Sequence, residues 1–184
     1  DPEENGLKID MWSDSNGDEI KLILNKLNKM NLSDDAKEIL EIVLLTNTYF
    51  PKINITEEEF INYKTNFLIK NSDKNLIKLY LTKNSNNIYN SNLIKFYINS
   101  YLQNADLENA CNIFNEINFY DDDYINKFKI YCLINEEKRE QAQLLFDLDN
   151  ESGFTDEFYE NKFNFLMKYV EQPNEEISDK NILN

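Results

Sequence analysis

Two kinds of side chain in this sequence could perform chemistry, a pair of cysteines and a large set of carboxylates. The cysteines are Cys111 and Cys132, and Asp and Glu together account for 34 of the 184 residues. Thiolates are nucleophiles and disulfide formers, and paired carboxylates can act as general acid and base. The chain has no histidine. That absence excludes serine or cysteine nucleophiles activated by histidine and also histidine-ligated zinc.

The acidic segment Asp10–Ile20, DMWSDSNGDEI, resembles a calcium-binding loop at first sight. If Gly17 held the sixth position of such a loop, Trp12 would hold the first and Ile23 the twelfth. Calcium needs an oxygen ligand at both of these positions, so the segment predicts no metal site. Asn16 is instead predicted to cap a helix, with acidic residues in the first helical turn.

A second acidic cluster, Asp121–Asp123, is predicted to open a helix. Adjacent residues at a helix start point in different directions, so three in a row do not converge on one ion. A pair of catalytic carboxylates cannot be selected from the remaining acidic residues. A carboxylate-dependent hydrolase of the cell envelope therefore stays the least favoured function, and no catalytic, metal-binding or cofactor-binding residue is predicted.

The two cysteines lie on consecutive predicted helices that are joined near Phe119 and Tyr120. Reflecting Cys111 through this turn places it at about the height of Cys132, on facing apolar stripes. In a reducing compartment we expect two buried free thiols. In an oxidising compartment we expect a disulfide that joins the two helices. The sequence leaves both alternatives open.

Apolar residues at helical spacing predict nine helices, and the scarcity of turn residues, 3 Gly and 3 Pro, argues against an all-β fold. Helix starts are predicted at Asn16, Ser33, Thr56, Asp73, Asp106, Asp121 and Thr155. Thr56 and Glu59 have the spacing of a capping box. The first two apolar stripes comprise Ile20, Ile23, Leu24 and Leu27, then Ala36, Ile39, Leu40, Val43 and Leu44.

Three segments repeat, with Leu68–Leu81, Tyr101–Phe114 and Leu133–Phe146 aligned at offsets of 33 and then 32 residues. This period is typical of tetratricopeptide-like helix pairs, although the consensus Trp, Gly and Pro of those repeats are missing. The predicted fold is all-α, with antiparallel helix pairs forming a short tetratricopeptide-like right-handed α-solenoid. We expect residues 1–15 to be an extended segment packed on the first helix, 16–171 the helical-repeat domain, and 172–184 an acidic flexible tail or linker.

The charge pattern restricts the partners. Net charge is −15, the isoelectric point is near 4.4, and Arg139 is the single arginine, so nucleic acid is not an expected partner. The longest dense apolar run, Ile39–Leu45, is interrupted by Glu41, so no membrane insertion is expected. Another protein is the expected partner, and exposed aromatic side chains are its candidate anchors. These candidates are Trp12, Tyr89, Tyr97, Tyr101 and Tyr120, with ordinary helix packing as the alternative for each.

Two stretches, DPEENGLKIDMWSDSNGDEI at residues 1–20 and LEIVLLTNTYFP at residues 40–51, resemble a family of uncharacterised exported helical-repeat proteins of alphaproteobacteria. Cys111 in ACNIF and Cys132 in KFKIYCLI match the paired cysteines of that family. The resemblance implies a periplasmic location, with a signal peptide that is absent from this chain. It implies no enzymatic activity and no cofactor.

These observations together favour a non-enzymatic protein–protein interaction scaffold of the periplasm or cell envelope. The alternative is a structural subunit whose apolar surface is buried in a homo-oligomer or a larger assembly. The sequence does not specify the oligomeric state or the partner.

Overall fold

A computed structural model describes residues 2–117, 122–153 and 156–171 of the chain. Within these ranges the secondary structure is helical and contains no β-strand, which confirms the all-α prediction. The helices are α1 (Gly17–Lys29), α2 (Asp34–Leu45), α3 (Glu57–Asn71), α4 (Lys74–Lys83), α5 (Ser91–Leu102), α6 (Leu107–Asn112), α7 (Asp123–Asn135), α8 (Arg139–Glu151) and α9 (Glu157–Leu166). Short 3-10 turns lie at Glu3–Asn5, Ile88–Asn90 and Ile113–Asn115.

Side-chain caps start most of these helices, as predicted. The Asn16 side chain accepts a hydrogen bond from Asp18 N at 2.9 Å. The capping box before α3 is complete, because Glu59 N donates to Thr56 Oγ1 at 3.1 Å and Thr56 N donates to Glu59 Oε2 at 2.9 Å. Each cap satisfies amides that the first helical turn leaves unpaired.

Asp122 and Asp156 cap α7 and α9, within the runs 121–123 and 155–157 that were predicted to open these helices, and Asp121 and Thr155 lie outside the described residues. Two details differ from the predictions. The sixth helix ends at Asn112, and its predicted continuation tightens into the 3-10 turn. Residues 2–6 and 9–14 form turns instead of a continuous extended segment, and Gly6 ends the first of these turns in the left-handed conformation at φ 66°. The predicted tail 172–184 also lies outside the described residues.

The chain forms two compact units, unit 1 from Asp1–Tyr97 and unit 2 from Ile98–Asn184, with the boundary inside α5. A core of unit 1 comprises Ile20, Leu24, Leu44, Ile55 and Phe60, with Trp12 and Phe50 among the half-buried side chains packed on it. A core of unit 2 comprises Ile130, Ala142, Phe146, Phe163 and Met167.

The start of α1 is held by the chain segment that precedes α3. Gly17 N donates to Ile53 O at 2.7 Å, and a Cβ at Gly17 would lie 2.7 Å from the Asn54 carbonyl oxygen. Only glycine allows this close approach. The Asn54 side chain donates to Asp18 Oδ2 at 2.9 Å and to Asn16 Oδ1 at 3.5 Å. The polar residues that resemble a calcium loop therefore bind a neighbouring chain segment.

Four helices end in the same way, with a non-glycine residue in the left-handed conformation. These residues are Ser72 at φ 54°, Ala105 at φ 55°, Glu137 at φ 61° and Lys168 at φ 64°. They are 33, 32 and 31 positions apart. After α7, Lys138 N donates to Leu133 O and Glu137 N donates to Ile134 O, the hydrogen-bond pair of a Schellman motif. This helix stop normally favours glycine.

Candidate functional site

Cys111 and Cys132 are joined by a disulfide between α6 and α7, with their Cα atoms 5.6 Å apart. Both residues are buried. The structure therefore holds the oxidised alternative, and the bond ties a short helix to a longer one. No free cysteine remains in the part of the chain that the structure describes, so a cysteine nucleophile is absent there.

Two of the aromatic candidates, Trp12 and Tyr97, are withdrawn from the surface to different degrees. Trp12 is half-buried, and its ring contacts Phe60 edge-on with the ring centroids 5.3 Å apart. Tyr97 is 2% exposed, so it cannot be the exposed anchor that the sequence suggested. Tyr97 lies on the inner face of α5, and its burial depends on tertiary packing that helical spacing alone does not specify.

The other aromatic candidates are scattered. Tyr89 is half-buried in the 3-10 turn Ile88–Asn90 of unit 1, and Tyr101 is half-buried on α5 in unit 2. Tyr120 lies outside the described residues. Of the four candidates that the structure describes, Tyr97 is buried, and Trp12, Tyr89 and Tyr101 are half-buried.

The least expected side chain in unit 1 is Lys64, which is 6% exposed in the middle of α3. Its ammonium Nζ lies 5.2 Å from the ring centroid of Phe60 and 5.7 Å from that of Phe50. Aromatic faces attract a cation at this range. No carboxylate lies within ion-pair distance of Lys64 in residues 2–117, 122–153 and 156–171. Burial lowers the pKa of the Lys64 ammonium to about 8.

Lys64 lines a cleft of ≈ 580 Å³ in unit 1, here called the Lys64 cleft. Its polar wall includes Glu41, Thr48, Lys64, Tyr80 and Lys83. Thr48 Oγ1 is buried and has no hydrogen-bond partner among the described residues. Burial raises the pKa of the Tyr80 hydroxyl to about 12, so this group remains a hydrogen-bond donor at neutral pH. Burial, followed by repulsion from Asp73 and Glu38, also raises the pKa of the Glu41 carboxyl.

Lys64 was not among the residues predicted from the sequence, although its spacing on α3 carries one signal. Phe60, Lys64 and Leu68 are spaced by four residues and lie on one face of α3, and both flanking residues are fully buried. A lysine between two core positions of a helix is therefore a detectable anomaly. The contribution of Phe50 could not have been detected, because it comes from the connection between α2 and α3.

Unit 1 also carries an exposed apolar surface on α1 and α2. Exposed fractions are 55% for Ile23, 56% for Met30 and 63% for Ile39. Ile39 lines a shallow groove of ≈ 320 Å³ whose walls are apolar residues alone. Ile23 lies one helical turn before Leu27, which lines the same groove, and Met30 follows the end of α1. This α1–α2 surface comprises Ile23, Leu27, Met30, Leu32, Ala36, Ile39, Leu40 and Val43. The apolar stripes predicted for α1 and α2 are therefore wider than the core of unit 1 requires.

Unit 2 buries a lysine of its own. Lys127 is 7% exposed, and its Nζ lies 2.6 Å from Asp156 Oδ2 and 5.0 Å from the ring centroid of Tyr159. The Tyr159 hydroxyl donates to Lys127 O at 3.2 Å. Burial, with smaller contributions from Asp149 and Asp156, raises the pKa of Tyr159. These contacts bind α7 to the start of α9, and the charge of Lys127 is neutralised within the protein.

The described part of the chain contains neither a candidate membrane-spanning helix nor a cluster of metal ligands. None of its helices combines the length and apolar character needed to cross a membrane. No group of three or more Cys, Asp or Glu side chains in this part could hold a metal ion. Comparison of the sequence and the structure with protein-family models, curated proteins and solved structures gives no match.

Proposed function

We propose that this protein is a non-enzymatic protein–protein interaction scaffold, and that its α1–α2 surface binds an amphipathic helix of a partner protein. The observation that carries this proposal is an apolar groove lined by the exposed Ile39, with the exposed Ile23 and Met30 on the helix that contributes Leu27 to it and at the end of that helix. Monomeric proteins seldom expose contiguous apolar surface of this kind unless it binds something. The burial of these side chains by a partner would stabilise the complex by about 25 cal/mol for each Å² removed from water.

The shape of the surface favours a helical partner. Two adjacent helices contribute apolar side chains to both walls of one shallow groove. An amphipathic helix fills such a groove with apolar residues spaced three or four positions apart. The polar face of the bound helix would remain in solvent.

We also propose a periplasmic or envelope location. Two observations support it, the resemblance of the N-terminal motifs to exported helical-repeat proteins and the disulfide between Cys111 and Cys132. Disulfides persist in oxidising compartments and are rare in the cytosol.

The helix-pair repeat is the architectural part of the proposal. Left-handed helix stops at Ser72, Ala105, Glu137 and Lys168 recur at nearly the period found in the sequence. This regularity supports a tetratricopeptide-like arrangement, in which each stop separates the first helix of a pair from the second.

A second copy of the chain is the alternative occupant of the α1–α2 surface. An apolar surface can bind the same surface of a second copy about a two-fold axis. Light scattering distinguishes the two occupants, because a homodimer doubles the mass in solution without any other protein.

The test compares two adjacent apolar residues of α1 whose exposure is nearly equal. Ile23 belongs to the α1–α2 surface, whereas Leu22, at 56% exposed, points away from it. Crosslinked bait is incubated with native envelope extract, and the catch is identified by mass spectrometry. We expect wild-type protein and Leu22→Glu to capture the same partner, and Ile23→Glu to lose it. Equal capture by Ile23→Glu and Leu22→Glu would contradict the proposed surface.

A further inference from the structure

We propose that the Lys64 cleft binds a small organic monocarboxylate with an apolar body, and that the Lys64 ammonium pairs with the carboxylate of this ligand. This site is distinct from the α1–α2 surface and does not depend on the protein-binding function proposed above.

The Lys64 ammonium lacks an anionic partner in the described part of the chain. A buried charge is costly unless it is paired, and the described residues provide no carboxylate within ion-pair distance of this ammonium. The rings of Phe50 and Phe60 offset only part of the cost. Because Lys64 also lines an open cleft, a bound anion can supply the missing partner.

The second step is an independent polar group in the same cleft. Thr48 is 7% exposed, and its buried Oγ1 has no hydrogen-bond partner in the described part of the chain. Tyr80 contributes a second hydroxyl to the cleft wall. The Lys64 ammonium and the Tyr80 hydroxyl are donors at the cleft, the Thr48 hydroxyl is buried in its wall, and an ionised carboxylate accepts up to about four hydrogen bonds. The cleft therefore offers the donors that a carboxylate needs.

The third step identifies the charge of the ligand. Glu41 also lines the cleft, and its carboxylate would repel a doubly charged anion more strongly than a singly charged one. The net charge of −15 acts in the same direction. A monocarboxylate therefore fits better than a phosphate group.

The fourth step identifies the rest of the ligand. The apolar part of the wall includes Ile42, Leu45, Phe50 and Leu76. A volume of ≈ 580 Å³ lies within the range of clefts that bind small molecules. The chemistry of the wall thus selects a ligand with one charged end and an apolar body.

The experiment uses 3-phenylpropanoate as the probe and its uncharged amide, 3-phenylpropanamide, as the matched ligand control. Both are titrated into ¹⁵N-labelled full-length protein and followed by NMR, with Lys64→Met and Lys83→Met as the variant pair. We expect saturable shifts at residues of the cleft for the acid and at least tenfold weaker binding of the amide. We expect Lys64→Met to lower the affinity for the acid by at least tenfold. Lys83→Met should change this affinity by about twofold or less.

A second readout needs no variant. The ¹⁵Nζ resonance of Lys64 reports the pKa of the ammonium directly, and a bound carboxylate must raise this pKa because an opposite charge favours the protonated form. Equal binding of acid and amide, unchanged affinity in Lys64→Met, or no saturable shift at the cleft up to about 10 mM acid would each overturn the proposal. A pKa of Lys64 that stays constant at saturating acid would overturn it as well.

Discussion

Unit 1 and unit 2 each bury a lysine on a central helix, and the two lysines have different surroundings. Lys127 in unit 2 forms an ion pair of 2.6 Å with Asp156 and lies over the ring of Tyr159. Lys64 in unit 1 is equally buried and lies near two aromatic rings, but no carboxylate of the described chain pairs with it. Its ammonium instead lines an open cleft.

The difference separates a structural lysine from a candidate functional one. A buried ion pair whose partners come from two helices fixes how those helices pack, and its charges need no external ligand. A buried ammonium without an anion lowers the stability of the folded state. Groups that lower stability without a packing role are characteristic of binding sites, where a ligand completes the interaction. Unit 1 also carries the exposed α1–α2 surface.

The largest expected effect on stability comes from breaking the ion pair between Lys127 and Asp156. Lys127→Met leaves Asp156 partly buried without its cation, and we expect unit 2 to lose about 4 kcal/mol in its free energy of unfolding. Denaturant unfolding combined with hydrogen exchange should place the loss in α7 and α9. The control is Lys138→Met, because Lys138 pairs with Glu136 at the surface and should contribute almost nothing. If Lys127→Met loses less than about 1 kcal/mol in its free energy of unfolding, the ion pair of Lys127 is not a structural one and the contrast with Lys64 fails.

Removal of the disulfide should be nearly as costly and should also be confined to unit 2. The double variant Cys111→Ala, Cys132→Ala releases a loop whose ends are 21 residues apart. We expect a loss of about 3 kcal/mol, mainly because the unfolded chain regains the freedom of this loop. Thermal unfolding measures the loss, while NMR shifts of unit 1 should not change. Intact mass after alkylation without reductant should show no modified thiol in wild-type protein, and two modified thiols would contradict the bond.

The charge of Lys64 predicts a specific dependence on pH. Its pKa is about 8 in the folded state, below the ordinary value of 10.5, so the unfolded chain binds more protons between these values. Stability relative to Lys64→Met should therefore be lowest below pH 8 and should recover as pH rises towards 10.5. We expect the difference in free energy of unfolding between Lys64→Met and wild-type protein, here called the gap, to shrink by about 2 kcal/mol between pH 7 and pH 10.

Paired denaturant titrations at these two pH values measure this gap. Glu41 and Tyr80 line the same cleft and are present in both proteins, so their contributions largely cancel in the difference. A gap that stays constant with pH would mean that Lys64 has an ordinary pKa in the folded protein.

The smallest expected effect concerns a feature that both units share, the left-handed helix stop. Ala105→Gly removes a single Cβ at φ 55°, where glycine is not strained. We expect a gain of about 0.5–1 kcal/mol in thermal unfolding. The control is Ala142→Gly inside α8, which should destabilise by about 1 kcal/mol or more because it also leaves a buried gap. A loss of stability in Ala105→Gly would show that Ala105 is not in the left-handed conformation.

Local features were the most predictable part of this fold. Caps such as Asn16 and the Thr56–Glu59 box depend on neighbouring residues, so the sequence predicts them correctly. Burial was less predictable, because a helical stripe does not specify how much of its width the core covers. Ile23 and Ile39 belong to predicted core stripes and are more than half exposed. Tyr97 was a candidate surface anchor with helix packing as the alternative, and it is buried.

The candidate site was the least predictable part. Lys64 could be identified as an anomaly on α3, but its environment requires Phe50 from a connection and Tyr80 from α4. These residues meet only through tertiary packing. An unpaired state is still harder to predict, because it depends on where every acidic side chain of the unit lies. The disulfide was easier to anticipate from the sequence, because Cys111 and Cys132 lie at matching heights on consecutive helices.

The most direct test of the central claim is the free energy of unfolding of Lys64→Met at pH 7, measured beside that of Lys127→Met. Methionine keeps the apolar stem of the lysine and removes the unpaired charge. We expect Lys64→Met to stabilise the protein by about 2 kcal/mol and Lys127→Met to destabilise it, so the two changes have opposite signs. If Lys64→Met destabilises the protein as Lys127→Met does, Lys64 has a structural partner and the cleft is not a site awaiting a ligand.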